Sequence, residues 1–169
     1  MANHAPGIGT LDALQVLAEA RLPGQVVITN QGSAREWPKL VPDPLDFHFL
    51  PSAMGAAIPF GLGIALAQPE REILVVSGDG SLLMNLGCLV TATGSGARNL
   101  TVVVLDNGCY AVTGIQKTAA FSGQVDYAGL ATASGFKSVA RFADLAQWQE
   151  KAGEFLNRMG PRFVCLKVI

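Results

Sequence analysis

The chain has 169 residues, of which 50% are hydrophobic and only 15% charged, with 12 basic and 13 acidic side chains and a net charge of −1. Soluble domains usually carry about 25% charge, so this composition points to a large core and to apolar surface covered by another subunit. The absence of a long run of either sign argues against a nucleic-acid tract and against a basic membrane helix.

Apolar stretches are broken by Gly, Pro or charge before they reach the roughly 20 residues of a membrane span. No basic region followed by an apolar one opens the chain, so no leader is expected. Cys88, Cys109 and Cys165 are odd in number and widely spaced. They offer neither a disulfide framework nor a CxxC signature, and a reduced, cytoplasmic setting is expected. The length sets an expectation of one domain over residues 1–169.

In chain order, residues 1–9 are small and read as a flexible tail. Thr10 can cap a helix over 11–20, where Leu11, Leu14, Leu17 and Ala18 make an apolar stripe. Val26 to Thr29 reads as a short strand ending in Asn30-Gln31-Gly32-Ser33. Residues 35–51 hold Pro38, Pro42, Pro44 and Pro51 among Trp37, Phe47 and Phe49, which predicts an irregular apolar covering loop. Residues 52–68 are rich in Ala and Gly, suiting a helix packed closely on a sheet, with Pro59 near its regular start.

The segment 73–107 organises the chain. Its apolar runs Ile73 to Val76 and Val102 to Leu105 predict strand, helix, strand, with Asp79 and Asn107 at the strand ends. The Gly-containing loop 108–124 has the length of a binding loop or lid. Asp126 can cap a helix over 127–134, followed by a strand at 136–139, a helix over 144–159 and a final strand at 163–168. The reading is α/β: an open, mostly parallel sheet of about five strands with helices on both faces. Ligands of such sheets bind at the C-terminal strand ends.

Gly78-Asp79-Gly80-Ser81 has its own chemical content. Glycines allow close approach, and amides at a helix start with a hydroxyl can hold phosphate oxygens. The Asp79 carboxylate and the Asn107 amide oxygen suit Mg²⁺, which bridges protein to phosphate. A helix cap at Asp79 and a turn at Asn107 would explain the same residues, and GDG alone is neither a P-loop nor a dinucleotide fingerprint.

GDG, the 28-residue spacing from Asp79 to Asn107 and the doublet Asp106-Asn107 together resemble the cofactor motif of thiamine diphosphate enzymes. The family pattern ends in NN, so Asp106 departs from it while Asn107 keeps the ligand position. The resemblance, over roughly 25–168, is to the pyrophosphate-binding domain, and it implies the thiamine diphosphate-binding fold. It implies Asp79, the Asn107 side chain and the Cys109 carbonyl as Mg²⁺ ligands, with Gly78, Gly80, Ser81 and Tyr110 at the cofactor. Ser52-Ala53-Met54-Gly55 is similar to the segment under the cofactor rings, where Met54 would force the bent conformation and the Ser52 carbonyl would accept the 4′-amino group.

Within the family, GIALAQPER at 63–71, VTGIQKT at 112–118 and VDYAGLATASGF at 125–136 resemble the beta subunit of sulfopyruvate decarboxylases and the matching half of phosphonopyruvate decarboxylase. Relatives often carry GGQPT in that loop; Gly114, Gln116 and Thr118 match it, whereas Ile115 and Lys117 depart.

The resemblance implies a beta subunit of a thiamine diphosphate- and Mg²⁺-dependent decarboxylase of a small 2-oxo acid, with the cofactor as electron sink. A separate pyrimidine-binding alpha subunit would supply the catalytic glutamate, and a two-fold self-association is expected. Lys117 and Gln116 are candidates for the acidic head group of the substrate, with a solvent-facing Lys117 as the plain alternative and His48 as a weaker candidate. An acetolactate-synthase-like carboligase subunit and a noncatalytic cofactor-binding subunit are the competing readings. The lack of cysteine clusters argues against iron–sulfur wiring of the ferredoxin-linked kind.

Overall fold

The structure, a computed structural model, describes residues 7–40, 42–121 and 123–169. Its helices and strands alternate in chain order. The first half comprises α1 (Thr10–Glu19), β1 (Val26–Asn30), α2 (Gln31–Glu36), β2 (Asp46–Phe49), α3 (Ala57–Ala67) and β3 (Ile73–Gly78). The centre comprises α4 (Asp79–Leu83), α5 (Gly87–Gly94), β4 (Leu100–Asp106), β5 (Cys109–Tyr110) and β6 (Gln116–Lys117). The last part comprises α6 (Tyr127–Ala133), β7 (Ser138–Phe142), α7 (Leu145–Leu156) and β8 (Arg162–Lys167).

Six of the strands form one parallel sheet in the order β2-β1-β3-β4-β8-β7, and β5 and β6 make a separate antiparallel pair. The central strands are continuous apolar runs because both of their faces are covered. Ile73, Val75, Val102, Val104 and Phe163 pack with α3, α5 and α6 on one face. Leu74, Val76, Val103, Val164 and Leu166 pack with α1 and α7 on the other. This is the two-sided α/β fold expected from the alternation of apolar runs and helical periodicity.

Local choices agree with that architecture. A Cβ on Gly61 would overlap the Val75 side chain, so α3 lies with its backbone against β3. Asp144 caps α7 by accepting from the Gln147 N–H at 2.9 Å. α7 then buries Trp148, whose indole donates to the Ala13 carbonyl of α1 at 3.1 Å.

Several expectations are corrected. Residues 35–51 are not a plain covering loop: α2 runs into a 3₁₀ turn over Trp37–Lys39, and Asp46–Phe49 is an edge strand that makes the sheet six-stranded. The prolines flank β2 instead of interrupting it, and Trp37 is fully buried with its indole donating to Asp46 at 3.0 Å. Residues 52–56 are a turn, with Gly55 at φ 80°, and α3 starts only at Ala57. The stretch after Asp79 is two short helices, not one.

The long loop after Asn107 contains the β5–β6 hairpin. Finally, the expected tail is ordered at its end. Ile8 is buried and bridges Val168, its N–H donating to the Lys167 carbonyl at 2.9 Å. Residues 1–6 of that tail lie outside the described residues. Thr10, expected as a cap, begins α1 itself and donates its hydroxyl to the Ile169 carbonyl.

The strand order sets the site. From β1 the chain steps outward to β2, then returns to β3 on the other side of β1. The carboxyl ends of β1 and β3 therefore flank a topological switch point, where open α/β sheets hold their ligands.

Candidate functional site

A cavity with about 300 Å³ of space opens at this switch point. Asn30, Gln31, Gly32 and Ser33 line it from the end of β1, and Gly78, Asp79, Gly80 and Ser81 from the end of β3. Asn107, Cys109 and Tyr110 line it from beyond β4, and Met54 from the turn before α3. Residues 77 positions apart in sequence thus meet because three parallel strands end side by side.

Asp79 is the first residue of α4 and is buried. Burial raises its carboxyl to about 6, with repulsion from Asp106 adding to the rise. The Gly80 N–H, the Thr118 hydroxyl and Lys167 act in the opposite direction. Asp106 is itself paired with Lys167 at 3.2 Å, so the departure from the NN doublet carries its own counterion. A buried carboxylate that holds a proton this readily is short of positive charge, the condition a cation would relieve.

Asn107 Oδ1 accepts from the Cys109 N–H at 2.8 Å, which fixes the turn after β4, and Asp79, Asn107 and Cys109 line the same cavity. The two carbonyl-type oxygens and one carboxylate make a hard-oxygen donor set of the kind Mg²⁺ takes. No cluster of three or more His, Cys, Asp or Glu side chains suited to a metal occurs among the described residues.

Ser81 ties the cavity walls together. Its Oγ accepts from the Gly55 N–H at 3.0 Å and from Asn30 Nδ2 at 3.1 Å, leaving its own proton to donate. Asn85 Nδ2 donates to the Gly55 carbonyl at 3.1 Å. The Met54 turn is thereby held over the start of α4. Gly32 and Gly78 face open space, where a Cβ would intrude on a ligand. Gly80 has a different reason: a Cβ there would sit 2.6 Å from the Tyr110 ring.

The structure brings Met54, Gly78, Asp79, Gly80, Ser81, Asn107, Cys109 and Tyr110 to one cavity. It does not place Ser52, Ala53, Gln116 or Lys117 on its lining. The Ser52 hydroxyl accepts from the Gln31 N–H at 3.3 Å. Gln116 is exposed and its amide closes the hairpin turn on Thr113 at 2.8 Å. Lys117 lies over the Phe121 ring at 4.3 Å. His48 shares a hydrogen bond with Thr29 at 2.9 Å, within the sheet edge.

Sequence reading missed the contribution of the β1 end. Asn30 is buried with its Oδ1 unpartnered at the cavity, Ser33 donates to the Val76 carbonyl at 3.1 Å, and Arg35 reaches the cavity from α2. Gln31 holds a left-handed φ of 51°, a strained geometry of the sort found at ligand sites. The signal was the Asn-Gln-Gly-Ser stretch at a strand end, a polar turn where a connection alone would need none.

Residues 24–166 match the family described as "Thiamine pyrophosphate enzyme, C-terminal TPP binding domain". The chain belongs to this family. A thiamine pyrophosphate (thiamine diphosphate) enzyme domain accounts for the switch-point cavity, its glycines and the Asp79–Asn107 pair. The chain is 47% identical over 124 residues to the beta subunit of sulfopyruvate decarboxylase of Methanothermobacter thermautotrophicus, covering 73% of this chain and 64% of that one.

It is 39% identical over 155 residues to phosphonopyruvate decarboxylase of Streptomyces viridochromogenes, covering 91% of this chain and 38% of that protein. The chain thus spans under two thirds of the length of these relatives. In three dimensions it superposes on a thiamin diphosphate-dependent enzyme of Mycobacterium smegmatis with a TM-score of 0.79, at 20% identity and covering 96% of this chain and 32% of that one, a likeness of fold.

Proposed function

We propose that this chain is the beta subunit of a thiamine diphosphate- and Mg²⁺-dependent decarboxylase acting on a small 2-oxo acid of the sulfopyruvate or phosphonopyruvate kind. The observation that carries this reading is the convergence of Asp79, Ser81 and Asn107 on one switch-point cavity, in a chain 47% identical to a sulfopyruvate decarboxylase beta subunit.

Asp79, the Asn107 side chain and the Cys109 carbonyl would hold Mg²⁺, and Gly78, Gly80, Ser81 and Tyr110 would surround the diphosphate. Ser52, Ala53 and Met54 would lie under the rings. When bound, the cofactor supplies the electron sink that loss of CO₂ from a 2-oxo acid requires. This chain's residues would position it: the Ser81 hydroxyl would offer a proton to a diphosphate oxygen, Met54 would press against the ring system, and the hairpin of β5 and β6 would cover the metal side. Lys117, with Gln116 beside it, is the candidate for meeting the acidic head group. A Lys117→Ala variant should then raise KM for the substrate, and an unchanged KM would remove Lys117 from the site.

A second chain completes the reading. Several apolar side chains face outward. Phe47, Phe60, Met84 and Val90 are all exposed, and the Phe47 and Phe60 rings lie tilted at 38° with centroids 4.9 Å apart. The Met84 Cβ lies close to Gly55, beside Met54. Relatives such as the phosphonopyruvate decarboxylase are more than twice as long as the matched region, and a pyrimidine-binding alpha subunit would play the part of that additional length here. It would contribute the glutamate that activates the cofactor. Self-association through a two-fold assembly accompanies it.

The test is product analysis of this chain, combined with its alpha subunit, on sulfopyruvate and phosphonopyruvate. Stoichiometric CO₂ and aldehyde are expected. A hydroxyketone would mark a carboligase, and cofactor binding without turnover of any 2-oxo acid would mark a noncatalytic subunit.

A further inference from the structure

Thr118 does not line the cavity, yet it touches both halves of the proposed metal centre. It is 4% exposed, at the foot of the hairpin where the chain leaves β6. Its Oγ1 donates to Asp79 Oδ2 at 3.3 Å. Its own N–H donates to the Gly108 carbonyl at 2.8 Å, in the peptide segment between Asn107 and Cys109. Its Cγ2 would lie 3.5 Å from a Cβ on Gly80. One residue therefore fixes the Asp79 carboxylate at the end of β3 and the Asn107–Cys109 turn at the end of β4.

We infer that Thr118 is the positioning residue of the metal centre, coupling closure of the hairpin to the geometry of the Asp79 carboxylate. The inference rests on the cofactor reading above. A carboxylate ligand held by a hydroxyl donor keeps its rotamer when the cation arrives, and loss of such outer partners typically weakens metal binding about 10–100-fold. The main-chain bond to Gly108 needs only a residue with an N–H at this position. The bond to Asp79 needs a side-chain hydroxyl, which separates positioning from simple loop packing. Valine keeps the shape of threonine without the hydroxyl, and serine keeps the hydroxyl without the methyl.

The experiment titrates Mn²⁺ into the chain combined with its alpha subunit at saturating thiamine diphosphate, following free Mn²⁺ by electron paramagnetic resonance. Wild type is compared with Thr118→Val, Thr118→Ser and Thr118→Ala, each checked for its fold by circular dichroism. Thr118→Val and Thr118→Ala should need about 10–100-fold more Mn²⁺ for half-saturation, with Thr118→Ser close to wild type. Wild-type affinity in a folded Thr118→Val or Thr118→Ala would overturn the assignment, as would equal weakening in the Ser variant, which would trace the effect to the methyl group. If the wild-type chain combined with its alpha subunit takes up no Mn²⁺ with thiamine diphosphate, the cofactor reading fails, and the inference falls with it.

Discussion

At the scale of single residues, the site is built from side chains whose chemistry is set by burial. Asp79 has an ordinary carboxyl value of 3.8 and is raised to about 6 in the fold, chiefly by burial. Between those values the folded apoprotein holds a proton that the unfolded chain has released, so this group's contribution to stability falls as pH rises through about 6. A cation taking the proton's place reverses that loss. Mg²⁺ with thiamine diphosphate should therefore raise the Tm more at a pH of about 7.5 than at about 5. Equal shifts at both would contradict Asp79 as a ligand.

Gly80→Ala drives a Cβ to 2.6 Å from the Tyr110 ring and should cost about 1–3 kcal/mol in urea unfolding, as overpacking does. The thiols differ in the same way. Burial pushes Cys88 up to about 11 and Cys165 up to about 12, while Cys109 is half-buried on the cavity. Iodoacetamide at mildly alkaline pH should modify Cys109 first, and thiamine diphosphate should slow that reaction. Mass spectrometry showing Cys88 or Cys165 labelled ahead of Cys109 would contradict this placement.

At the scale of elements, legibility follows the strength of local pattern. β3, β4 and β8 are near-continuous apolar runs because both of their faces are covered, and such runs show in the sequence. β2 carries Asp46 and His48 beside two phenylalanines and is ringed by prolines, so no local signal separates it from loop. Its identity comes from pairing with β1, a nonlocal fact. The hairpin of β5 and β6 is likewise held by Gly108, whose φ of 71° lets the chain turn against the Phe121 ring, and two-residue strands leave no periodicity to read.

GDG and Asn107 were legible because their 28-residue spacing resembles the cofactor motif of the family, not from the local residues alone. Asn30 and Ser33 were not, because polar turns are common. The packing of α1 against α7 on one face of the sheet is also nonlocal: Trp148 is fully buried, its indole donating to the Ala13 carbonyl. Trp148→Ala should lose about 3–5 kcal/mol of stability in urea denaturation, as large-to-small core changes do. A loss below about 1 kcal/mol would mean that this face is not the core.

At the scale of the whole molecule, low charge and exposed aromatic rings support the proposal that a second chain completes the site. Among the described residues no helix is long and apolar enough to cross a membrane. The proposed metal and diphosphate side of the site lies on this chain's own residues, and it can be tested first. Isothermal titration of thiamine diphosphate into the chain, with Mg²⁺ and with chelator, alone and beside the alpha subunit, reads it directly, with Asp79→Asn as the control. Binding that requires Mg²⁺ and is lost in Asp79→Asn is the expected result. No binding under any condition, or binding indifferent to both Mg²⁺ and the Asp79 carboxylate, would contradict the assignment of this cavity as the cofactor site.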